Sequence, residues 1–310
     1  MIQETKNIVV TIPCYNEAVT IAKVIKDFQG ILPYVPIHVF DNNSTDRSAE
    51  IARSAGAIVH HVKKRGKGNV MRTIFDTIRA DALIVVDGDD TYYAEDAPKL
   101  LTPVLNGEAN MVVGNRLHTV TTRSMYRLHQ IGNRLIVWMI NRIFRTNYKD
   151  ILSGYRVFSR HFIETVPLLT TGFETETELV LQALEQRMEI IELPISYRAR
   201  PEGSQSKIRA FHDGYRIMLT ALIILRDHRP IVFFGVISLF CFLIAGAAGV
   251  LRLLNYLAIT SLPNHILTGT IIIVIPLAIV SLAIGLILSA IDARFKELSQ
   301  IMSRRSKSNG

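Results

Sequence analysis

The feature that most restricts this chain is a pair of long apolar runs toward its C-terminal end. IVFFGVISLFCFLIAGAAGVLRLL (Ile231 to Leu254) carries one charge, Arg252, near its end, and LTGTIIIVIPLAIVSLAIGLILSAI (Leu267 to Ile291) carries none. At about 1.5 Å of rise per helical residue, each is long enough to cross a hydrocarbon core of about 30 Å. A helix of this length inside a soluble protein would show a polar face, so a transmembrane hairpin is expected. Pro276 lies within the second run, where a membrane helix accommodates it with a kink. The connection from Asn255 to Ile266 has no Lys or Arg, whereas Arg226 and Arg229 precede the pair and Arg294, Lys296, Arg304, Arg305 and Lys307 follow it. By the positive-inside rule both termini are cytoplasmic. The opening MIQETKNIVVTI passes straight into a strand pattern without signal-peptide architecture. The expectation is an integral membrane protein, of the inner or plasma membrane in a bacterium, with its first 225 or so residues in the cytosol.

The chain has 310 residues, so the part before the hairpin is the size of one ordinary domain. It alternates strand-like and helix-like pieces. NIVVTI precedes EAVTIAKVIKDFQ, IHVF precedes DRSAEIARSAG, AIVHH precedes KGNVMRTIFDTIRA, ALIVV precedes AEDAPKLLTPVL, and NMVVG comes next. Four successive βα units with short connections predict an α/β domain, a mostly parallel sheet covered by helices on both faces. After Gly114 the alternation stops. SMYRLHQIGNRLIVWMINRIF (Ser124 to Phe144) and KIRAFHDGYRIMLTALIILRD (Lys207 to Asp227) are basic and amphipathic, the pattern of helices that lie in a membrane interface or, for the first, that pack on the sheet. The expected division is 1–205 for the α/β domain, 206–229 for a juxtamembrane helix and 230–310 for the hairpin with a basic tail. Net charge is +8, which suits anionic lipid or phosphorylated ligands and, given the hairpin, argues against nucleic acid. The two cysteines, Cys14 and Cys241, are too few for a cysteine zinc site and fit a reducing compartment.

The polar residues that end the strands carry the chemistry. LIVVDGDDTYY closes an apolar run on Asp87, Asp89 and Asp90. Buried without partners, these carboxylates would cost several kcal/mol each, so they belong at the strand's exposed carboxyl end, where open α/β sheets bind ligands. A D-x-D there can hold a hard divalent cation through oxygen. The plainer alternative is a polar turn with Gly88 at positive φ. The first strand ends in PCYNE, with Asn16 or Glu17 able to cap the next helix, and the second in DNNSTD, with Ser44 or Asp46 able to do the same. The third ends in KKRGKGN, where Gly66 and Gly68 permit close backbone approach and Lys63, Lys64, Arg65 and Lys67 bring positive charge to an anion. Acidic, basic and metal-type groups at one sheet edge are what a nucleotide diphosphate with Mg²⁺ or Mn²⁺ requires.

PCYNE, DNNSTD, RGKG, the DGD of Asp87 to Asp89, VVGNR (Val112 to Arg116) and DILSGYR (Asp150 to Arg156) stand in the order found in family 2 glycosyltransferases of GT-A fold. More narrowly the chain resembles the polyprenyl-phosphate glycosyltransferases, a group that includes dolichyl-phosphate mannose synthase and bactoprenol glucosyltransferases. The likeness extends to RPEGSQSK (Arg200 to Lys207, with Pro201 after the arginine) and to the hairpin. It implies that Pro13, Tyr15, Glu17 and Asp41 surround the nucleoside, that Arg65 and Lys67 face the donor's nucleotide, and that Asp87 and Asp89 hold Mg²⁺ or Mn²⁺. Two positions depart from the family pattern. Asn42 replaces the second acidic residue of D-D-x-S-x-D, and Thr91 stands two after the D-x-D, where Gln is frequent.

The resemblance implies an inverting transfer of one sugar from a UDP- or GDP-linked donor to a polyprenyl phosphate such as undecaprenyl or dolichyl phosphate, at the cytosolic face. A lipid phosphate needs cations between the donor and the bilayer, and Arg116, Arg134, Arg156, Arg200 and Lys207 are the candidates, arginine forks being suited to phosphate oxygens. Its second pKa is about 6, so no general base is required to activate it. Asp150 then orients an arginine or the sugar. In GFETETEL (Gly172 to Leu179) the family analogy puts an acidic group, Glu176, near the reaction centre. For these glutamates the alternative is the solvated first turn of a helix. With Asp89 and Arg116, these residues make the expected catalytic set. The alternatives are transfer to a lipid hydroxyl such as diacylglycerol, which demands a base, and a catalytically silent nucleotide-binding anchor. Processive polymer synthesis is disfavoured, because such synthases carry Q-x-x-R-W and the single tryptophan, Trp138, follows Val137. A homo-oligomer is left open.

Overall fold

The apolar runs ahead of each polar strand end form one seven-stranded sheet in the order β3-β2-β1-β4-β6-β5-β7. Its strands are β1 (Ile8–Cys14), β2 (Ile37–Asp41), β3 (Ile58–His61), β4 (Ala82–Val85), β5 (Met111–Asn115), β6 (Arg156–Ser159) and β7 (Ile190–Pro194). β4 is buried along its whole length, as its unbroken Ala-Leu-Ile-Val sequence requires. The computed structural model describes residues 6–116, 127–168, 175–201, 219, 222–227, 229–257 and 263–308. The chain divides into two compact units, Met1–Ile217 and Met218–Gly310.

In the first unit the expected βα units are present. Helices α1 (Ile21–Ile31), α2 (Ser48–Ser54) and α3 (Lys67–Thr77) connect parallel strands, and α4 (Ala97–Leu105) leads from β4 toward β5. α1 shows why its residues fold this way: Ile21, Val24, Ile25 and Phe28 recur with helical period and are the residues it buries. Each such side chain stabilises by about 1.5–3 kcal/mol on burial. The sequence pattern did not announce β6 and β7. β6, which begins at the last residue of DILSGYR, inserts antiparallel between β4 and β5, and β7 lies parallel to β5. α5 (Arg127–Phe144), α6 (Arg160–Thr165) and α7 (Thr175–Glu185) complete the unit. Of the expected juxtamembrane helix, residues 206–218 lie outside the described residues, and 222–227 are helical.

The expected caps work differently. Neither Asn16 nor Glu17 caps α1 by its side chain; the Glu17 carbonyl accepts from the Thr20 and Ile21 amides at 3.0 and 2.9 Å. Asp46 does hold the start of α2, accepting from the Ser48 amide at 2.9 Å.

The second unit contains helices Pro230–Tyr256 and Asn264–Ser308, each long and apolar enough to cross a membrane. They meet through small residues: Ser238, Cys241, Ala245 and Ala248 of one helix are buried, as are Ala278 and Ser281 of the other. The Ser281 hydroxyl donates to the Phe234 carbonyl at 3.0 Å. A Cβ on Gly285 would lie 2.9 Å from the Phe234 Cβ, so only glycine allows this approach. Outward, Leu239, Phe240 and Ile273 are largely exposed, an apolar surface that water does not favour.

Candidate active site

Sheet register sets the site's first row. Cys14 pairs with Asp41 and Asp41 with His61, so the carboxyl ends of β1, β2 and β3 lie side by side. Asp41 is buried; one oxygen takes a contact from His61 Nδ1 at 3.3 Å, and the Ser44 amide approaches the carboxylate at 3.4 Å. Tyr15 lies under the Arg65 guanidinium, 5.0 Å from ring centroid to Cζ. Pro13 is in β1, and Glu17 is buried in the turn after it. Asn42 ties the basic loop down: its amide donates to the Lys64 carbonyl at 2.7 Å, and its oxygen accepts from the Gly66 amide at 2.7 Å. An aspartate could not donate in this way, which gives the departure at position 42 a structural reason. Gly66 itself has φ of 122°, a conformation suited to glycine.

The loop delivers Lys67 as the first residue of α3. Its ammonium sits between two carboxylates, 2.7 Å from Asp87 Oδ1 and 2.6 Å from Glu176 Oε1. Burial alone would lower its pKa; the charges and hydrogen bonds of Asp87 and Glu176 outweigh this and raise it, so Lys67 stays charged. Glu176 and Glu178, in the first turn of α7, are buried and not solvated. Glu174 lies outside the described residues.

The two carboxylates of the D-x-D differ in state. Burial pushes Asp87 up, but the Lys67 ammonium, with Arg116 and Arg200 behind it, overrides that and holds Asp87 below the ordinary carboxylate range. Asp89 is pushed up by burial and by the charge of Asp87, against the pull of Arg200 and Thr91. Asp89 Oδ2 meets Arg200 Nη2 at 2.5 Å, and its Oδ1 accepts from the Thr91 hydroxyl at 2.6 Å. Thr91 thus holds the carboxylate beside it.

Gly88 does not have positive φ; a Cβ there would come within 3.2 Å of Ile12 Cγ2, so the turn needs its small size. The left-handed residue is Asp90, at φ of 59°. That twist sends Asp90 away from its neighbours, toward Lys23 at 3.0 Å and the Arg198 guanidinium. Gly154 of DILSGYR packs directly against Asp87: a Cβ on it would lie 2.1 Å from Asp87 Oδ2.

Arg116 and Asp150 form a two-pronged pair. Arg116 Nε and Nη2 donate to the two Asp150 oxygens at 2.8 and 2.9 Å, and the Arg116 amide donates to Oδ2 at 3.0 Å. Asp150 is fully buried. Arg156 must be corrected as a phosphate ligand. It is fully buried, donating to the Ser153 carbonyl at 2.9 Å and the Ile151 carbonyl at 2.5 Å, so it braces the 151–153 turn. Arg134 is exposed on α5, and Lys207 lies outside the described residues.

Several site residues escaped sequence reading: Tyr92, whose hydroxyl accepts from the Gly154 amide at 2.9 Å; Tyr197, bridged to Tyr92; and Arg198. Their signal was present only in part, since Tyr92 follows the D-x-D and Gly154 lies in a quoted motif, but nothing local marks Tyr197 or Arg198.

The residues fit a divalent ion. Asp87 and Asp89 offer hard oxygens, and among the described residues no third His, Cys, Asp or Glu joins them as a metal cluster. Two carboxylates completed by a ligand's phosphates and water is the usual arrangement for Mg²⁺ at phosphate sites.

The chain is similar to known proteins in sequence and in fold. The chain is 36% identical over 224 residues to the glycosyltransferase AglJ of Haloferax volcanii, covering 72% of this chain and 73% of that protein. It is 28% identical over 211 residues to a dolichyl-phosphate hexose transferase of the same organism, covering 68% and 90%. In fold it is similar to glucosyl-3-phosphoglycerate synthase of Mycobacterium tuberculosis, solved with Mn²⁺, uridine diphosphate and glucosyl-3-phosphoglycerate, at a TM-score of 0.59 and 21% identity, covering 71% and 79%. Residues 9–166 match the family model for glycosyl transferase family 2. With that match over half the chain, a GT-A-like sheet and a D-x-D at its carboxyl edge, the protein is a glycosyltransferase belonging to glycosyl transferase family 2.

Proposed function

We propose that the chain moves one sugar, with inversion, from a UDP- or GDP-linked donor to a polyprenyl phosphate, working at the cytosolic face of the membrane from an anchor formed by its two apolar helices. The observation that carries this reading is the setting of Asp87 and Asp89 among Lys67, Arg116 and Arg200, a compact alternation of charge matched to a diphosphate on one side and a phosphate nucleophile on the other. Within the chain, 1–205 is the catalytic domain, 206–229 the juxtamembrane helix and 230–310 the hairpin and tail.

Pro13, Tyr15, Glu17 and Asp41 receive the nucleoside, and Arg65 attends the donor's nucleotide, while Lys67, expected beside it, is engaged by Asp87 and Glu176. Asp87 and Asp89 would hold Mg²⁺ or Mn²⁺, which supplies positive charge to the departing diphosphate. Lys67 holds Asp87 in ionised form and bonds Glu176 with the same ammonium. Arg116, oriented by both oxygens of Asp150, and Arg134, Arg200 and Lys207 attract the acceptor phosphate. Since that phosphate is anionic at neutral pH, the reaction needs no proton acceptor. Full burial of Asp150, with both oxygens engaged by Arg116, supports this over a hydroxyl acceptor, which would require a free base.

The test is a transfer assay in detergent with full-length protein, undecaprenyl phosphate, Mn²⁺ or Mg²⁺ and a panel of UDP- and GDP-sugars, beside Asp89→Ala. A metal-dependent, acid-labile lipid-phosphate sugar that the variant fails to make is the expected result. Product on diacylglycerol instead, or nucleotide binding without any product, would overturn the phosphate-acceptor reading.

A further inference from the structure

The segment Tyr197–Arg200 is laid along the D-x-D at three points. The Arg198 amide donates to the Thr91 carbonyl at 2.9 Å, and Tyr197 forms a β-bridge with Tyr92. Arg198 Nε donates to the Asp90 carbonyl at 2.6 Å, its guanidinium meets the Asp90 carboxylate, and its Cζ stands 4.4 Å from the Tyr93 ring centroid. Tyr197 in turn lies under Arg116, 5.6 Å from its ring centroid. These contacts fix the backbone from which Arg200 reaches Asp89 Oδ2 at 2.5 Å.

We propose that Arg200 is a placeholder cation, neutralising Asp89 until a divalent ion takes its place, so that ion binding and release of Arg200 from the D-x-D are one event. The proposal rests on the reading of Asp87 and Asp89 as the metal-binding pair. The physical reason is local charge. Asp87 and Asp89 lie two positions apart, Asp89 is buried and Asp87 half-buried, and Lys67 is already shared between Asp87 and Glu176. Asp89 therefore needs a cation of its own, and Arg200 provides one from a flanking segment and not from the sheet. A divalent ion on the same oxygen brings greater charge at shorter range, and a guanidinium cannot occupy Oδ2 with it. Freed there, Arg200 remains tethered two residues beyond the Arg198 anchor, beside the oxygens of any phosphate the ion brings. Asp90 belongs to the same device: its left-handed turn withdraws its carboxylate from the pair and commits it to Lys23 and Arg198. This leaves Arg200 as the counter-ion of Asp89.

The experiment is a Mn²⁺ titration of the full-length protein in detergent, following free Mn²⁺ by its electron paramagnetic resonance signal, without nucleotide and then with UDP or GDP. Wild type, Arg200→Gln, Arg200→Lys and Asp89→Asn are compared, with circular dichroism to confirm folding. Arg200→Gln is expected to bind Mn²⁺ alone about tenfold more tightly than wild type, the scale of one hydrogen bond to a charged group. Arg200→Lys, which keeps the charge, stays close to wild type, and Asp89→Asn loses most of the affinity. Equal or weaker Mn²⁺ binding by folded Arg200→Gln, with the Asp89→Asn loss intact, would overturn the placeholder while leaving the metal pair standing. No Mn²⁺ binding by any form, nucleotide present, would overturn both.

Discussion

Two ends of one sheet edge are built in opposite ways. At the end of β4 every carboxylate has its own cation close by: Asp87 has Lys67 at 2.7 Å, Asp89 has Arg200 at 2.5 Å, and Asp90 has Lys23 at 3.0 Å. At the ends of β2 and β3 the contacts of Asp41 are long, 3.3 Å to an exposed His61 and 3.4 Å to the Ser44 amide. The first end holds its charges in place before any ligand arrives, the kind of preorganisation that stabilises a charged transition state. The second leaves a buried carboxylate with weak partners, so a ligand's donors can improve on them. On the proposed reading chemistry and recognition are thus separated along the edge, and substitutions at the two ends should differ in size and in the quantity they change.

The largest effect is expected at Lys67. Lys67→Met removes the cation shared by Asp87 and Glu176, leaving two carboxylates near each other without it, and sugar transfer should fall by about a thousandfold with little change in nucleotide affinity. Measuring kcat beside the nucleotide Kd checks the split. A loss confined to affinity would mean that Lys67 belongs to the recognition end. Gly154→Ala comes next. Its Cβ cannot coexist with Asp87 in place, since 2.1 Å is far inside any contact distance, so the carboxylate must turn away and transfer should fall by about a hundredfold. The folded state should survive, because the displaced atoms belong to a side chain, and the melting temperature tests that.

The same contrast governs what was legible in the sequence. The end that the proposal gives to recognition is local: PCYNE and DNNSTD each follow their own strand, so period and turn chemistry place them at the edge. β1 to β4 and their helices were readable for the same reason, since Ile21, Val24, Ile25 and Phe28 mark α1 without outside help. The β4 end is made by residues far apart in the chain. Lys67 comes from the readable β3–α3 connection, but Gly154 arrives just ahead of β6, inserted between β4 and β5, and Tyr197 and Arg200 follow β7 beyond β5, placements with no local pattern. Arg156 shows the same limit from the other side. It ends a motif of polar residues and looks like an anion ligand, yet it opens β6 beside β4, where its donors go to backbone carbonyls. The two long apolar helices were the easiest part of all, because unbroken apolar runs of that length mark them without outside help.

Asp150→Asn tests whether the β4 end also contributes stability. In the folded chain burial raises the Asp150 carboxyl, but Arg116 outweighs that and leaves it below the ordinary value of 3.8. A depressed carboxylate pKa contributes stability above the unfolded value, lost as pH falls through the folded one. At pH 7 the variant should therefore unfold about 3 kcal/mol more easily, since the largely shielded Arg116 loses the charge of Asp150. The difference should shrink as pH drops below 3.8, where wild type too loses the pair. Denaturant unfolding at a series of pH values reads this directly, and transfer should fall about tenfold through the loss of Arg116 orientation. A difference that grows in acid would contradict the assignment.

The smallest effect is expected at His61, and it bears most directly on the contrast. His61 is exposed and its hydrogen bond to Asp41 is long, so removing it costs roughly 0.5 kcal/mol and should weaken UDP or GDP binding by about twofold in calorimetry. Its kcat should stay near that of wild type, because nothing at the β4 end depends on it. Asp41→Asn removes the carboxylate that the nucleoside would meet and should weaken the same binding by about tenfold. The order of these two effects decides the matter. If His61→Ala costs as much as Asp41→Asn, the imidazole is fixing the carboxylate as firmly as Lys67 fixes Asp87, and the recognition end is prebuilt after all. If the loss is small and the two variants add, Asp41 is oriented by its ligand, which is what weak native contacts at a buried carboxylate imply.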